Sequence, residues 1–239
     1  MTAAIREAGR DDGDLATIVG IVNAVTPNDP TSIDEIHWAD ATYPGTTRLL
    51  AHLDGRPVGV GTVGRIYVHP PEFDGLWATL AVLADARRQG IGTDLLSAIS
   101  VRARAAGKGW LYVSVTEDHP DGMAFLAHRG FTEYERSKMA RLDLAGMAAP
   151  AIDPPAGVEL TTLAERPDLV EGVREVALEA FPDIPGGDEP ISVGDLDEFR
   201  ARDVDRPAIP AEAFFVALDR ATDRVIGYAS LILRPGSRT

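Results

Sequence analysis

The chain opens on a weakly alternating stretch, Ala3–Glu7, that predicts a strand, and then changes period. Asp11, Asp12 and Asp14 supply the carboxylates that favour a helix start, where backbone N–H groups lack partners. Leu15, Ile18, Val19 and Val22 follow at helical spacing. Pro30-Thr31-Ser32 breaks that helix and caps a second, shorter one over Ile33–Ala41, which Tyr43-Pro44-Gly45 ends. Arg48–His52 and Pro57–Val68 read as strands joined by the Asp54-Gly55 signal of a tight hairpin. Leu76–Leu83 is an apolar run of strand length, and a helix follows Gly92 to about Ala106. Trp110–Thr116 predicts a buried strand, Pro120–His128 a helix, and Phe131–Leu144 a closing hairpin or strand pair.

Ala145–Gly157 is rich in Ala, Pro and Gly, lacks any period and predicts a linker. It divides the chain into a domain at 1–145, a connection at 146–157 and a remainder at 158–239. The opening order then recurs: a strand at Val158–Thr162, helices at Pro167–Ala180 and Val193–Ala201, and strands at Ala213–Leu218 and Val225–Leu233. Aligning Gly59 with Gly227 superposes the two hairpins, so the expectation is a degenerate internal duplication. The alternative is a chance recurrence of a simple element order. The aligned second copy reaches Thr239 before any counterpart of residues 87–92, so it is truncated or part of a longer tandem protein.

Composition narrows the function classes. There is no Cys, which excludes disulfides, zinc-thiolate sites and Cys nucleophiles. A formal net charge of −14 argues against nucleic-acid binding and mildly favours a cationic acceptor such as an amine. No apolar run approaches the ~20 residues of a membrane span, so the expectation is a cytoplasmic protein without membrane contact. The histidines His37, His52 and His128 show no metal-ligand spacing, and no metal is expected. Gly59-Val60-Gly61-Thr62-Val63-Gly64 matches a dinucleotide fingerprint in letters only. The fingerprint requires a helix to start there, and strand-like Arg65–Val68 follows instead. These glycines predict a bulge or close packing.

The informative stretch is Leu80-Ala81-Val82-Leu83-Ala84-Asp85-Ala86-Arg87-Arg88-Gln89-Gly90-Ile91-Gly92-Thr93. A buried strand ends, the chain turns, and two glycines open an amphipathic helix. Such a junction cradles anions: first-turn N–H groups are unpaired, the helix dipole is positive there, and glycine admits a phosphate close to the backbone. Arg87, Gly90 and Gly92 match Arg/Gln-x-x-Gly-x-Gly/Ala, and Gly130-Phe131 closes a helix downstream. On these residues the chain resembles the GNAT acetyltransferase family over about 1–145 and more weakly over 157–239, as a tandem-type member. The resemblance implies a mixed, mostly antiparallel α+β or α/β sheet flanked by helices and partly duplicated. It implies acetyl-CoA as cosubstrate. Leu80, Ala81 and Val82 would lie along the pantetheine arm, with Arg87, Arg88, Gln89, Gly90, Ile91, Gly92 and Thr93 at the pyrophosphate. His119 stands where the family often carries a CoA-contacting Asn.

The implied reaction is attack of a primary amine of a small molecule or peptide on the acetyl thioester. Proton handling departs from the family pattern. The frequent Tyr acid is Leu126 here, and the frequent Glu base is Thr79. Glu117 and His119, at the end of the strand after the cofactor helix, are the candidate catalytic groups, and His69 is a weaker one. A polar entry to the next helix, with Asp118 or His119 near its N-cap, is the plainer explanation of Glu117-Asp118-His119-Pro120. Three readings stay open: an N-acetyltransferase, a catalytically weak acyl-CoA-binding module, and a fragment of a longer tandem protein. A homodimer is allowed by each.

Overall fold

The computed structural model describes residues 3–138, 140, 142–148, 151–184 and 191–233. The first sheet has five strands in the order β1-β2-β3-β4-β5. They are β1 (Ala4–Glu7), β2 (Thr47–Leu53), β3 (Arg56–Arg65), β4 (Gly75–Val82) and β5 (Trp110–Tyr112). The first three neighbouring pairs are antiparallel and β4–β5 is parallel. This is the mixed, mostly antiparallel sheet that the family resemblance implies.

Local chemistry sets the helices. The Asp11 carboxylate accepts from the Gly13 and Asp14 amides and starts α1 (Asp12–Val25). Ser32 Oγ accepts from Glu35 N and starts α2 (Ile33–Thr42). Leu15, Ile18 and Ile21 of α1 pack with Ile36 of α2 on Leu50, Val60 and Ala81, one face of the sheet. The other face receives α3 (Ile91–Ala105), whose Leu95 and Ile99 pack with Leu49, Val63 and Ala78. Gly59 and Gly61 permit that approach. A methyl on either would meet α3 side chains and neighbouring groups at 3.1–3.3 Å, so these glycines serve helix packing and bind no dinucleotide phosphate.

Two expectations fail at the far edge. Trp110–Thr116 forms only a three-residue strand, and Trp110 is 66% exposed. Pairing with β4 stops at Trp77↔Tyr112, so residues 113–116 have no strand beside them. No strand forms among the described residues of 131–144. With so short an edge there is little ladder to extend; Arg136 instead binds Glu117 and Glu133, and Tyr134 packs edge-on against Tyr112. Residues 139 and 141 of that predicted hairpin, and 149–150 of the predicted linker, lie outside the described set.

A second, three-stranded antiparallel sheet follows, with β6 (Val158–Thr162), β7 (Phe214–Asp219) and β8 (Arg224–Ser230) in that order. Its core joins Val170, Val173 and Ala177 of α5 (Val170–Ala180) to Phe214, Val216, Leu218 and Val225. The helix predicted over Val193–Ala201 is the short α6 (Leu196–Phe199), which runs into a π-helical turn at Arg200–Val204.

That turn meets the first sheet's helices along a polar seam. Trp38 Nε1 donates to Ala201 O at 2.9 Å, and Arg206 pairs with Glu35 at 3.4 Å while lying over the Trp38 ring. Ser192 N donates to Val68 O at 2.7 Å, and the buried Arg202 reaches Tyr67 O. Burial in this seam pushes the Tyr43 hydroxyl up to about 12.

Candidate functional site

The candidate site is built at the exit of β4. After Val82 the chain makes a 3-10 turn at Ala84–Ala86, and the Arg87 guanidinium folds back so that Nε donates to Val82 O at 3.0 Å. Arg56 pairs with Asp85 at 2.9 Å and ties this turn to the β2–β3 hairpin. Arg88 then adopts φ +64° and Gly90 φ +86°, left-handed backbone on either side of Gln89. For Arg88 that conformation costs an L-residue about 1–2 kcal/mol, strain of a kind that concentrates at ligand sites. Gly90 O accepts from Thr93 N and Asp94 N at 2.9 and 3.0 Å and so begins α3.

The result is a run of amides with nothing to bind. Among the described residues, the backbone N–H groups of Arg88, Gln89, Gly90, Ile91 and Gly92 donate to no protein acceptor. They cluster at the positive end of a 15-residue helix. Consecutive unpaired amides of this kind at a helix start, with left-handed residues among them, form an anion nest. A Cβ on Gly90 would meet no atom within 4 Å, so the approach to the nest is open. A pyrophosphate fits this donor set.

The neighbouring backbone fits an extended ligand arm. Leu80, Ala81 and Val82 pair with Gly61, Val60 and Gly59 of β3 on one side. On the other side β5 has already parted, since the last β4–β5 pair is Trp77↔Tyr112. Past Trp77 the outer edge of β4 pairs with no strand, and apart from Val82 O, which Arg87 takes, it is open to bond an amide-bearing chain. Leu80 turns toward α3 and Ala81 toward α1, so each is fixed by a different core.

The structure brings the predicted residues 80–82 and 87–93 together. It does not bring Glu117 or His119 into hydrogen-bond contact with them. Both lie at the entrance of α4 (Pro120–Ala127), where His119 is the N-cap residue. Glu117 is bound by Arg136, whose guanidinium is raised chiefly by Glu133. Thr116 Oγ1 donates to Asp118 and lies 2.7 Å from His119 Nδ1. That hydroxyl, helped by His119, holds the Asp118 carboxyl below the usual range.

Sequence reasoning missed two residues of the cradle. Phe125 sits against Gly92, where a methyl would lie 3.0 Å from its ring. Arg129 stacks on Phe125 at 3.7 Å and donates to Thr93 Oγ1. Their i,i+4 spacing at the C-terminal end of α4 is the available signal, but nothing in it points to α3. His69 lies on the β3–β4 loop against Phe73, far along the chain from the cradle. Among the described residues no cluster of three or more metal-ligating side chains occurs, and no helix is long and apolar enough to cross a membrane.

The family model "Acetyltransferase (GNAT) family" matches residues 16–131. A mycothiol acetyltransferase of Thermomonospora curvata is 29% identical over 178 residues, covering 74% of this chain and 51% of that protein. The chain thus spans about half the length of the curated relative it matches. Among solved structures, a putative acetyltransferase from Agrobacterium tumefaciens str. C58 is 22% identical with a TM-score of 0.47, covering 58% of this chain and 99% of that one. An N-acetyltransferase from Staphylococcus aureus Mu50 is 26% identical with a TM-score of 0.47, covering 55% and 84%. GNAT acetyltransferases use acetyl-CoA. With the strand, nest and helix at their centre, residues 16–131 of this chain match the model of the GNAT acetyltransferase family.

Proposed function

We propose that this chain transfers an acetyl group from acetyl-CoA to a primary amine of a small molecule or peptide. The observation that carries the proposal is the run of five unpartnered amides at Arg88–Gly92 beside the free edge of β4. Acetyl-CoA supplies the acetyl group as a thioester. The amine nitrogen forms a bond to the acetyl carbon, the carbon–sulfur bond breaks, and sulfur leaves with the electron pair and takes a proton. The nest amides hold the pyrophosphate, and the backbone of Leu80–Val82 holds the arm.

His119 is the proton acceptor we propose. With the Thr116 proton committed to Asp118, His119 Nδ1 donates to Thr116 Oγ1, and Nε2 is left as the basic nitrogen. Glu117 serves the site by a water-mediated route at most, because Arg136 already engages it. Leu126 has no proton to give, so the thiolate takes its proton from water. An acyl-CoA-binding role without turnover is the second reading, favoured by Leu126 and Thr79 at the family's acid and base positions.

We further read residues 158–239 as a partial second copy joined by 146–157 to a first at 1–145. Three features support it. Ala51↔Gly59 is followed by a register shift at His52, and Ala217↔Gly227 by one at Leu218. Ile5 faces Ala51 as Leu160 faces Ala217. Ala8 N donates to Arg48 O as Leu163 N donates to Phe214 O, at 2.9 and 3.0 Å. The same 166-residue offset on the middle strand serves all three. Among the described residues of 158–233 there is no counterpart of the nest.

The test is thermal unfolding with and without acetyl-CoA, beside NAD, followed by thiol release with an amine panel. Ligand at 100 times its Kd stabilises by about 2.7 kcal/mol, a shift of several degrees. A shift with acetyl-CoA alone, lost in the Gly90→Glu/Gly92→Glu double variant, and thiol release with an amine are the expected results. No shift would sink the cofactor assignment; a shift without thiol release would favour the binding role.

A further inference from the structure

The face of the first sheet that α1 and α2 cover changes character along the strands. Register aligns Leu50, Val60 and Ala81 across β2, β3 and β4, an apolar row under α1. One pair further along, the same face carries Arg48, Thr62 and Thr79. Arg48 is only 13% exposed and Asp40 of α2, its partner at 2.5 Å, only 11%. A single oxygen of Asp40 is the only acceptor the Arg48 guanidinium has among the described residues. Four of its five N–H donors are unused. The hydroxyls of Thr62, which is buried, and Thr79, which is exposed, also make no hydrogen bond there. The remaining Arg48 donors and the two hydroxyls bond no described protein group and are not among the buried orphaned atoms, so they form a solvent-reached polar row open to a ligand.

Position says which ligand. Thr79 lies two residues past Trp77, the last β4 residue paired with β5, and so stands at the mouth of the splay. Neighbouring strands are about 4.8 Å apart, so Arg48 begins about 10 Å from Thr79, and its side chain shortens the gap. A guanidinium with one edge held by a carboxylate offers the other edge as a planar fork, the geometry that matches a second carboxylate.

We infer that the row Thr79–Thr62–Arg48 is the acceptor floor and that the acceptor is an amine carrying a carboxylate, with about 5–10 Å between the two groups. This rests on the acetyl-transfer reading above. The amine stands at Thr79 and the carboxylate on the free edge of Arg48. Asp40 is a positioning residue that fixes the plane of the fork. The net charge of −14 opposes an anionic group at long range, so its binding depends on Arg48.

The experiment measures acetyl-CoA-dependent thiol release with ω-amino acids, from glycine to 8-aminooctanoate, against n-alkylamines of equal chain length. One ω-amino acid of matching span is expected to exceed its alkylamine at least tenfold in kcat/KM. Arg48→Gln is expected to erase that preference, Arg48→Lys to keep part of it, and Asp40→Asn to raise KM for the acid more than it lowers kcat. Thr62→Val, nearly isosteric, tests the row without touching the ion pair and is expected to weaken the preference. Equal rates for the two series, including no turnover of either, overturn the inference, as does a preference that survives Arg48→Gln. The acetyl-CoA-induced thermal shift of the unaltered protein separates the failures. Present without a preference, it leaves acetyl-CoA binding standing and this inference refuted; absent, it removes the acetyl-transfer reading itself.

Discussion

Gly90 and Gly92 stand two residues apart in the nest, yet replacing each by alanine perturbs different physics. Gly90 caps α3 at φ +86°, and its added methyl meets no atom within 4 Å. The whole cost of Gly90→Ala is therefore backbone, about 1–2 kcal/mol for an L-residue held in the left-handed region. Gly92 lies inside the helix, where alanine gains about 0.8–1 kcal/mol over glycine. Against that gain, its methyl would crowd the Phe125 ring at 3.0 and 3.3 Å, on a half-buried side chain able to move. The two effects nearly cancel. In thermal unfolding, Gly90→Ala is expected to lower the midpoint by about 2–8 °C and Gly92→Ala to leave it within about 2 °C. Binding of acetyl-CoA by calorimetry should separate them further. A chain that relaxes at Gly90 turns the amides of Gly90 and Ile91 out of convergence, so Gly90→Ala loses at least tenfold in affinity, about 1.4 kcal/mol. Unchanged affinity in Gly90→Ala, alongside a lowered midpoint, would refute the nest as the pyrophosphate site. An unchanged midpoint would refute the strain argument itself.

The proposed proton acceptor, the seam and the Arg6–Asp14 pair beside the first strand each offer a further test. His119→Gln is expected to lower kcat about 100-fold or more while acetyl-CoA still shifts the unfolding midpoint; Glu117→Gln, its parent side chain already bound by Arg136, should cost far less. Arg202 bridges Glu198, Asp203 and the carbonyls of Ser192 and Val193, so Arg202→Ala should destabilise by about 3–5 kcal/mol in urea unfolding and Arg202→Met by less. Burial raises the Asp203 carboxyl, a penalty that Arg202 partly offsets. Its ionisation therefore costs stability as pH rises from the ordinary carboxyl value through the raised one, and Arg202→Met should steepen that loss. Asp14 has the opposite sign: Arg6 and the Gly9 amide hold its carboxyl at about 2. Its contribution is present above pH ~4 and fades as pH falls through about 2, so Asp14→Asn should cost roughly 1 kcal/mol at pH 7 and nothing near pH 1.

What the sequence determined by itself is what depends on near neighbours. Asp11 and Ser32 cap helices because their side chains reach amides two or three residues on. Arg87, Gly90 and Gly92 announce the strand-to-helix turn proposed to hold the anion, because the unpaired amides and the glycine that allows φ +86° belong to one short stretch. Tertiary structure decided the rest. Nothing in the spacing of Asp40, Arg48, Thr62 and Thr79 joins them; antiparallel register does, by setting three strands side by side and laying α2 across them. The apolar pattern of Trp110–Thr116 promised a long strand, but a strand needs a partner along its length, and β4 pairs with only three of its residues. The seam from Trp38 to Ala201 spans 163 residues of chain, and its arginines are paired only because two sheets, each with its own core, pack a helix against a π turn.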